Sequence, residues 1–144
     1  MKDIVRELFE KWNRVKQKTH DIQKIIGIKE RDIVFIKMGQ NIGFEQDGKG
    51  EEFLRPVVIV KKFNKNMFLG IALTTKEKDN MYHFSFVYQN RSGQSIQNSA
   101  ILSQAKIYDT KRVKYKSGVI SKENFTNLYK SFLKVIQPSE SNFL

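Results

Sequence analysis

Arg55 is the first residue of this sequence whose type and setting suit chemistry. It follows a glycine-rich acidic loop and opens the apolar run Arg55-Pro-Val-Val-Ile-Val-Lys61. A guanidinium at a strand mouth can grip a phosphate through two parallel N–H donors, and it stays charged at any working pH. The plain alternative is a rim ion pair with Glu51 or Glu52, worth little in energy. Thr74 and Thr75 close the next apolar run, Phe68-Leu-Gly-Ile-Ala-Leu-Thr74, and Asn64-Lys65-Asn66 between the two runs marks a turn. Residues 55–74 therefore read as a hairpin whose ends lie on the same side of the sheet. A threonine hydroxyl there can donate to a phosphate oxygen or orient a ribose hydroxyl, or it can simply cap a turn.

Other candidates are more diffuse. The loop Asn41-Ile-Gly-Phe-Glu-Gln-Asp-Gly48 offers Glu45 and Gln46. A carboxylate there could fix an arginine, and a solvated turn is the alternative. Its glycines point to positive backbone dihedrals or close approach, and no G-x-x-x-x-G-K-[ST] phosphate loop is present. Lys106, Lys111, Arg112, Lys114 and Lys116 interleave with Tyr108 and Tyr115. Such mixtures bind single strands by charge plus base stacking, although a solvated charged face reads the same way. His83 sits in the alternating run His83-Phe-Ser-Phe-Val-Tyr88, where it could touch substrate or be a satisfied structural histidine.

Composition narrows the classes. The 144 residues favour one domain, and 11 Phe, 5 Tyr and 1 Trp supply a core. Lys and Arg number 26 against 15 Asp and Glu, for a net charge of +11. That field draws anions, nucleic acid foremost. With no cysteine there is no disulfide framework, thiolate zinc site or cysteine nucleophile, and two histidines make a His-rich metal centre a poor reading. No apolar run is long enough for a transmembrane helix, and the charged N-terminus does not resemble a secretory signal. The expected address is the cytoplasm, with no membrane partner.

The elements that must position these residues follow from periodicity. Ile4, Val5, Leu8, Phe9, Trp12 and Val15 predict a helix over 3–18 with Asp3 as its cap; the stripe serves packing or subunit contact. Residues 19–31 are ambiguous. Strands are expected at 32–38, 55–61, 68–74 and 83–88, with short ones at 99–103 and 106–108 and a polar loop over 91–98. The stretch 39–54 is too long for an ordinary connection, which marks it as functional or disordered. Ser121 caps a second helix with the stripe Phe125, Leu128, Phe132, Leu133 and Ile136, stopped by Pro138. Helix, antiparallel strands, helix is an α+β order with a small barrel or strongly bent sheet.

Taken in order, Asp32-Ile-Val-Phe, Gly43-Phe-Glu-Gln, Arg55-Pro-Val-Val-Ile-Val, Phe63-Asn64, Leu73-Thr-Thr75, Ser99-Ala-Ile-Leu-Ser-Gln104 and Asp109-Thr-Lys-Arg-Val113 resemble the PemK/MazF toxins of type II toxin–antitoxin systems over roughly 30–136. The likeness is to a branch with a longer first loop and an added N-terminal helix. It implies an SH3-like (CcdB/PemK-like) β-barrel with a C-terminal helix over 29–138, a helical extension over 1–28 and a flexible tail over 139–144. It further implies a homodimer neutralised by a cognate antitoxin, which cuts single-stranded RNA, mostly messenger RNA, at short motifs without metal or cofactor. In that chemistry the 2′-hydroxyl attacks the adjacent phosphate. The family's catalytic arginine falls on Arg55 and its threonine or serine on Thr74; its groove glutamate and glutamine fall on Glu45 and Gln46. Thr75, His83, Lys106, Lys111 and Arg112 complete the expected RNA contacts. Two positions depart from the pattern. Phe44 replaces a frequent serine and could stack on a base instead, and Lys106 replaces an arginine, keeping charge but losing the fork. Rival readings are a barrel of the same type that poisons DNA gyrase, and a barrel that binds RNA without cutting it.

Overall fold

The computed structural model describes residues 2–139. All but the first residue of the expected tail, 139–144, falls outside them. Helix α1 (Asp3–His20) is followed by an irregular segment and strand β1 (Asp32–Lys37). Then come β2 (Leu54–Lys62), β3 (Met67–Thr74), β4 (His83–Gln89), β5 (Ser95–Asp109), a 3-10 turn (Thr110–Arg112), β6 (Val113–Val119) and α2 (Lys122–Ile136). The strands form one antiparallel sheet in the order β4-β5-β3-β2-β1-β6. It curls until its edges touch at a single bridge, Asn90 to Gly118, so it is barrel-like without being closed. This is the expected α+β architecture.

Strand β2 is the spine. Val57, Val58, Ile59 and Val60 are all buried, because alternate side chains enter two different clusters. Val58 and Val60 join Ile33, Ile71, Leu73, Leu102 and the α2 residues Leu128 and Phe132. Val57 and Ile59 join Val34, Ile36, Phe68 and Tyr108 on the other side. Fully burying each such side chain contributes about 1.5–3 kcal/mol, so the hairpin that carries Arg55 and Thr74 is anchored in both clusters.

Three expectations need correction, and one strand went unread. The N-cap position of α1 is Lys2, which makes no side-chain cap bond; Asp3 lies in the first turn, where its charge faces the helix dipole. The two short strands and the second half of the polar loop before them, from Ser95, are one strand, β5. It pairs with β4 through Ser95–Ile101 and with β3 through Ser99–Asp109, and a register shift opposite Ile71 to Leu73 bends it. That bulge interrupts the apolar pattern, and its first residues are polar because alternate positions face solvent. Strand β6 was not legible as a strand, since its buried positions include Ser117 and Gly118 rather than an apolar series. In α2, Leu133 and Ile136 are exposed, while Phe125 and Val135 pack on the core with Leu128 and Phe132. The Ser121 cap is present and accepts from the Asn124 N–H at 3.1 Å.

Helix α1 touches the barrel mainly through Trp12. Its indole tilts against Phe53 at 5.6 Å between ring centroids and lies 5.8 Å from the Arg112 guanidinium carbon. Gly39, with φ of +98°, sits directly under the indole, so that any Cβ there would collide with the ring. Phe53, also in the left-handed region at φ of 53°, accepts from the N–H groups of Met38 and Gly39. The long loop over 39–53 is thus ordered, pinched at its base by Phe53 beneath α1.

Candidate active site

Arg55 emerges where β2 begins, into a cavity of about 330 Å³ that it shares with Thr74 and Thr75 at the end of β3. The hairpin register brings them together, as expected from the sequence. Neither Glu51 nor Glu52 holds the guanidinium; Glu52 pairs with Lys114 at 3.1 Å instead. Arg55 Nε donates to the Asp47 carbonyl at 2.6 Å and Nη1 donates to the Leu73 carbonyl at 3.2 Å. Two backbone carbonyls therefore orient the fork and leave Nη2 without a protein partner among the described residues. Burial pulls the Arg55 pKa below its ordinary value, and the charges of Asp47 and then Tyr108 oppose that pull. The group remains a cation, since an arginine starts so far above neutrality.

Thr74 Oγ1 accepts from the Lys76 N–H at 3.2 Å. The turn-capping role and the functional one coexist, because accepting that bond leaves the hydroxyl proton free to donate. Lys49 and Lys76 line the same cavity, as do the aromatic rings of Phe35 and Tyr115. Sequence reasoning placed Tyr115 among the aromatics of the basic segment but did not assign Lys49, Lys76 or Phe35. The signal available for the lysines was their nearness in sequence to Arg55 and Thr74. Among the described residues no carboxylate or imidazole lines the cavity.

The first-loop residues sit in a neighbouring cleft of about 320 Å³ with Lys106 and Gln104. Glu45 Oε1 accepts from the Ile42 N–H at 3.3 Å, and Asn41 Nδ2 donates to the Gln46 carbonyl at 2.8 Å. Phe44 is 99% exposed at the loop tip, and its carbonyl accepts from Gln104 Nε2 at 3.1 Å. Gly48 lets the returning chain pass Phe53 so closely that a Cβ would overlap the Phe53 carbonyl. That approach is what places the Asp47 carbonyl on Arg55.

The remaining candidates lie elsewhere. Lys111 Nζ donates to the His20 carbonyl at 2.8 Å, at the end of α1. Arg112 Nη1 donates to the Lys37 carbonyl at 2.9 Å and reaches that of Met38 at 3.3 Å, under Trp12. Both charges serve the α1 junction, and the structure does not bring them to Arg55. His83 opens β4 with Nδ1 2.7 Å from Asn80 Oδ1 and lines neither cleft; burial, then Lys78, lowers its pKa. Asp32 is buried and binds Lys116 at 2.8 Å and the Lys29 N–H at 2.8 Å, so it holds the fold. Among the described residues no group of three or more His, Asp or Glu converges as a metal site.

With this geometry in hand, the matches to known proteins are specific. The family model for the "PemK-like, MazF-like toxin of type II toxin-antitoxin system" matches residues 29–136. The chain belongs to this family. No curated protein sequence matches it significantly. Among solved structures it is similar to MazF from Deinococcus radiodurans, with a TM-score of 0.60 and 12% identity over 79% of this chain and 98% of that one. It is also similar to the Mycobacterium tuberculosis toxin MazF-mt6, with a TM-score of 0.55 and 11% identity over 72% and 94%. A third likeness is to an endoribonuclease in complex with its cognate antitoxin from a mycobacterial species, at 0.57 and 8% over 79% and 100%. At these identities the structures support the PemK/MazF fold. Helix α1 precedes the matched region, so Trp12 joins an element outside the family core to the family's first loop.

Proposed function

We propose that this toxin is an endoribonuclease that cleaves single-stranded RNA with Arg55 and Thr74. The observation that carries this reading is one cavity holding an oriented guanidinium with a free Nη2 and a hydroxyl with a free proton. The ribose 2′-oxygen attacks the adjacent phosphorus, the bond from phosphorus to the 5′-oxygen breaks, and the products are a 2′,3′-cyclic phosphate and a 5′-hydroxyl. Charge builds on the phosphorane oxygens, where donors fixed beforehand give most of the acceleration. Arg55 Nη2 and the Thr74 hydroxyl are those donors. Water takes the 2′-proton and supplies the one the leaving oxygen needs, because among the described residues no carboxylate or imidazole lines the cavity. Glu45, Gln46 and Lys106 line a separate cleft suited to reading exposed base edges, and Phe44 stands exposed at the tip of the same loop. Residues 29–138 form the catalytic body and 1–28 an added element. The active unit is a cytoplasmic homodimer, inhibited by a cognate antitoxin that occupies the groove. Among the described residues no helix is long and apolar enough to cross a membrane.

The test is incubation of purified protein with long RNA in EDTA. Fragments with 5′-hydroxyl ends are expected. Arg55→Ala should lower the rate by roughly 10²–10³-fold or more, the cost of removing one preorganised donor. Thr74→Ala should slow cleavage and Thr74→Ser should restore it. Cutting by folded Arg55→Ala at the parent rate removes Arg55 from the site, and gyrase arrest with intact RNA supports the rival toxin instead.

A further inference from the structure

Phe35 and Tyr115 form a surface feature that the cleavage chemistry does not use. They are cross-strand partners on β1 and β6, with ring centroids 4.9 Å apart and planes 20° from parallel. Phe35 is half-buried and Tyr115 is 44% exposed. The pair lines the Arg55 cavity on one side and, on the other, an adjoining cleft of about 480 Å³ that holds Arg91. The exposed ring is therefore a wall common to both clefts. Of the two tyrosines in the basic segment, Tyr108 is buried, so only Tyr115 is presented to a ligand.

The charge around the platform selects the ligand. The ion pairs among the described residues engage Lys61, Lys114 and Lys116. Lys49 and Lys76 on one side of the rings and Arg91 on the other have no acidic partner among the described residues. A flat π-surface between unpaired cations matches a chain that alternates planar bases with phosphates.

We propose that Tyr115, backed by Phe35, is a stacking platform for one unpaired nucleobase of the strand, next to the phosphate held at Arg55, with Arg91 meeting the phosphate beyond it. This rests on the RNA-cleavage reading for its position relative to the scissile bond, but not for the binding itself. Stacking accepts any base, so the platform sets affinity and strand register rather than the cleavage motif.

The experiment uses single-stranded DNA oligonucleotides carrying 2-aminopurine at successive positions. They lack the 2′-hydroxyl and are not cut. The full-length protein is expected to bind them and to quench the probe at one position. Tyr115→Ala should abolish the quench and weaken binding roughly ten- to a hundredfold, and Tyr115→Phe should restore both. In RNA cleavage, Tyr115→Ala should raise KM and spare kcat. Melting temperatures of the variants separate binding from structure, because a ring that only plugged the mouth of the core would change stability and leave affinity and quench alone. Binding and quench unaltered in folded Tyr115→Ala overturn the platform, as does failure of the parent protein to bind any of the oligonucleotides. Tyr115-dependent quench without RNA cleavage leaves the platform standing and rejects the nuclease. RNA cleavage with KM unmoved by Tyr115→Ala does the reverse.

Discussion

At the scale of single residues, the candidate site is built from side chains whose polar atoms are half committed. Arg55 gives two donors to backbone and keeps Nη2. Thr74 accepts from Lys76 and keeps its proton. The hairpin argument made this pair legible in the sequence, because it needed only strand ends. The sequence could not say which cations were already spent. Lys111 and Arg112 look like nucleic-acid contacts by charge, yet Lys111 donates to the His20 carbonyl at the end of α1 and Arg112 to the Lys37 carbonyl at the end of β1. Tyr108 is a similar case. Burial pushes its phenol up to about 12, with Arg112 and then Arg55 pulling the other way. A raised pKa means the folded state holds its proton more tightly than the unfolded chain, whose phenol titrates near about 10. The linked stability is full below that value and is lost as pH rises through the folded pKa. Unfolding free energy measured by urea titration should fall between pH 10 and about 12, and Tyr108→Phe should flatten that fall relative to the parent. Equal slopes in both proteins would place the effect elsewhere.

At the scale of elements, the strands and helices that matter most were readable where burial is uniform or periodic. Strand β2 runs apolar because both its faces are covered, and α2 carries a cap and a stripe. Bent β5 and edge strand β6 were not readable, since a bulge and buried small residues erase alternation. The coupling of α1 to the first loop was also hidden, because it depends on Gly39 and Phe53 lying under Trp12. Helical stability in proteins comes mostly from tertiary packing of one face, and Trp12 is the one large apolar side chain that α1 buries, beside Thr19 and the Lys111 bond to the His20 carbonyl. Trp12→Ala removes an anchor of the kind that costs about 3–5 kcal/mol in a core. The expected result is release of α1 with the sheet intact, seen as lost helical signal at a nearly unchanged main transition. Amide exchange over residues 39–53 should accelerate, because the Phe53 clamp loses its cover. With the Asp47 carbonyl then less firmly placed on Arg55, kcat should fall more than KM rises. Unchanged protection in the loop would show that Phe53 holds it without the helix.

At the scale of the whole molecule, a net charge of +11 spread over one small domain supplies attraction without choosing a sequence. In the proposed function the remaining work falls to two further clefts, one with first-loop polar groups and one with aromatic rings. The division is measurable through salt. Each phosphate contact on a single strand contributes about −0.7 to the slope of log affinity against log salt. Replacing both Lys49 and Lys76 with glutamine removes two cations from the Arg55 cavity, so the slope for a single-stranded oligonucleotide should become shallower by about 1.4. Tyr115→Ala removes no charge. It should lower affinity by the same factor at every salt concentration and leave the slope where it was. Parallel lines for the tyrosine variant and a shallower line for the lysine pair are the signature of stacking and phosphate contact acting side by side. A slope unmoved by the double lysine change would mean the strand passes the cavity without touching it.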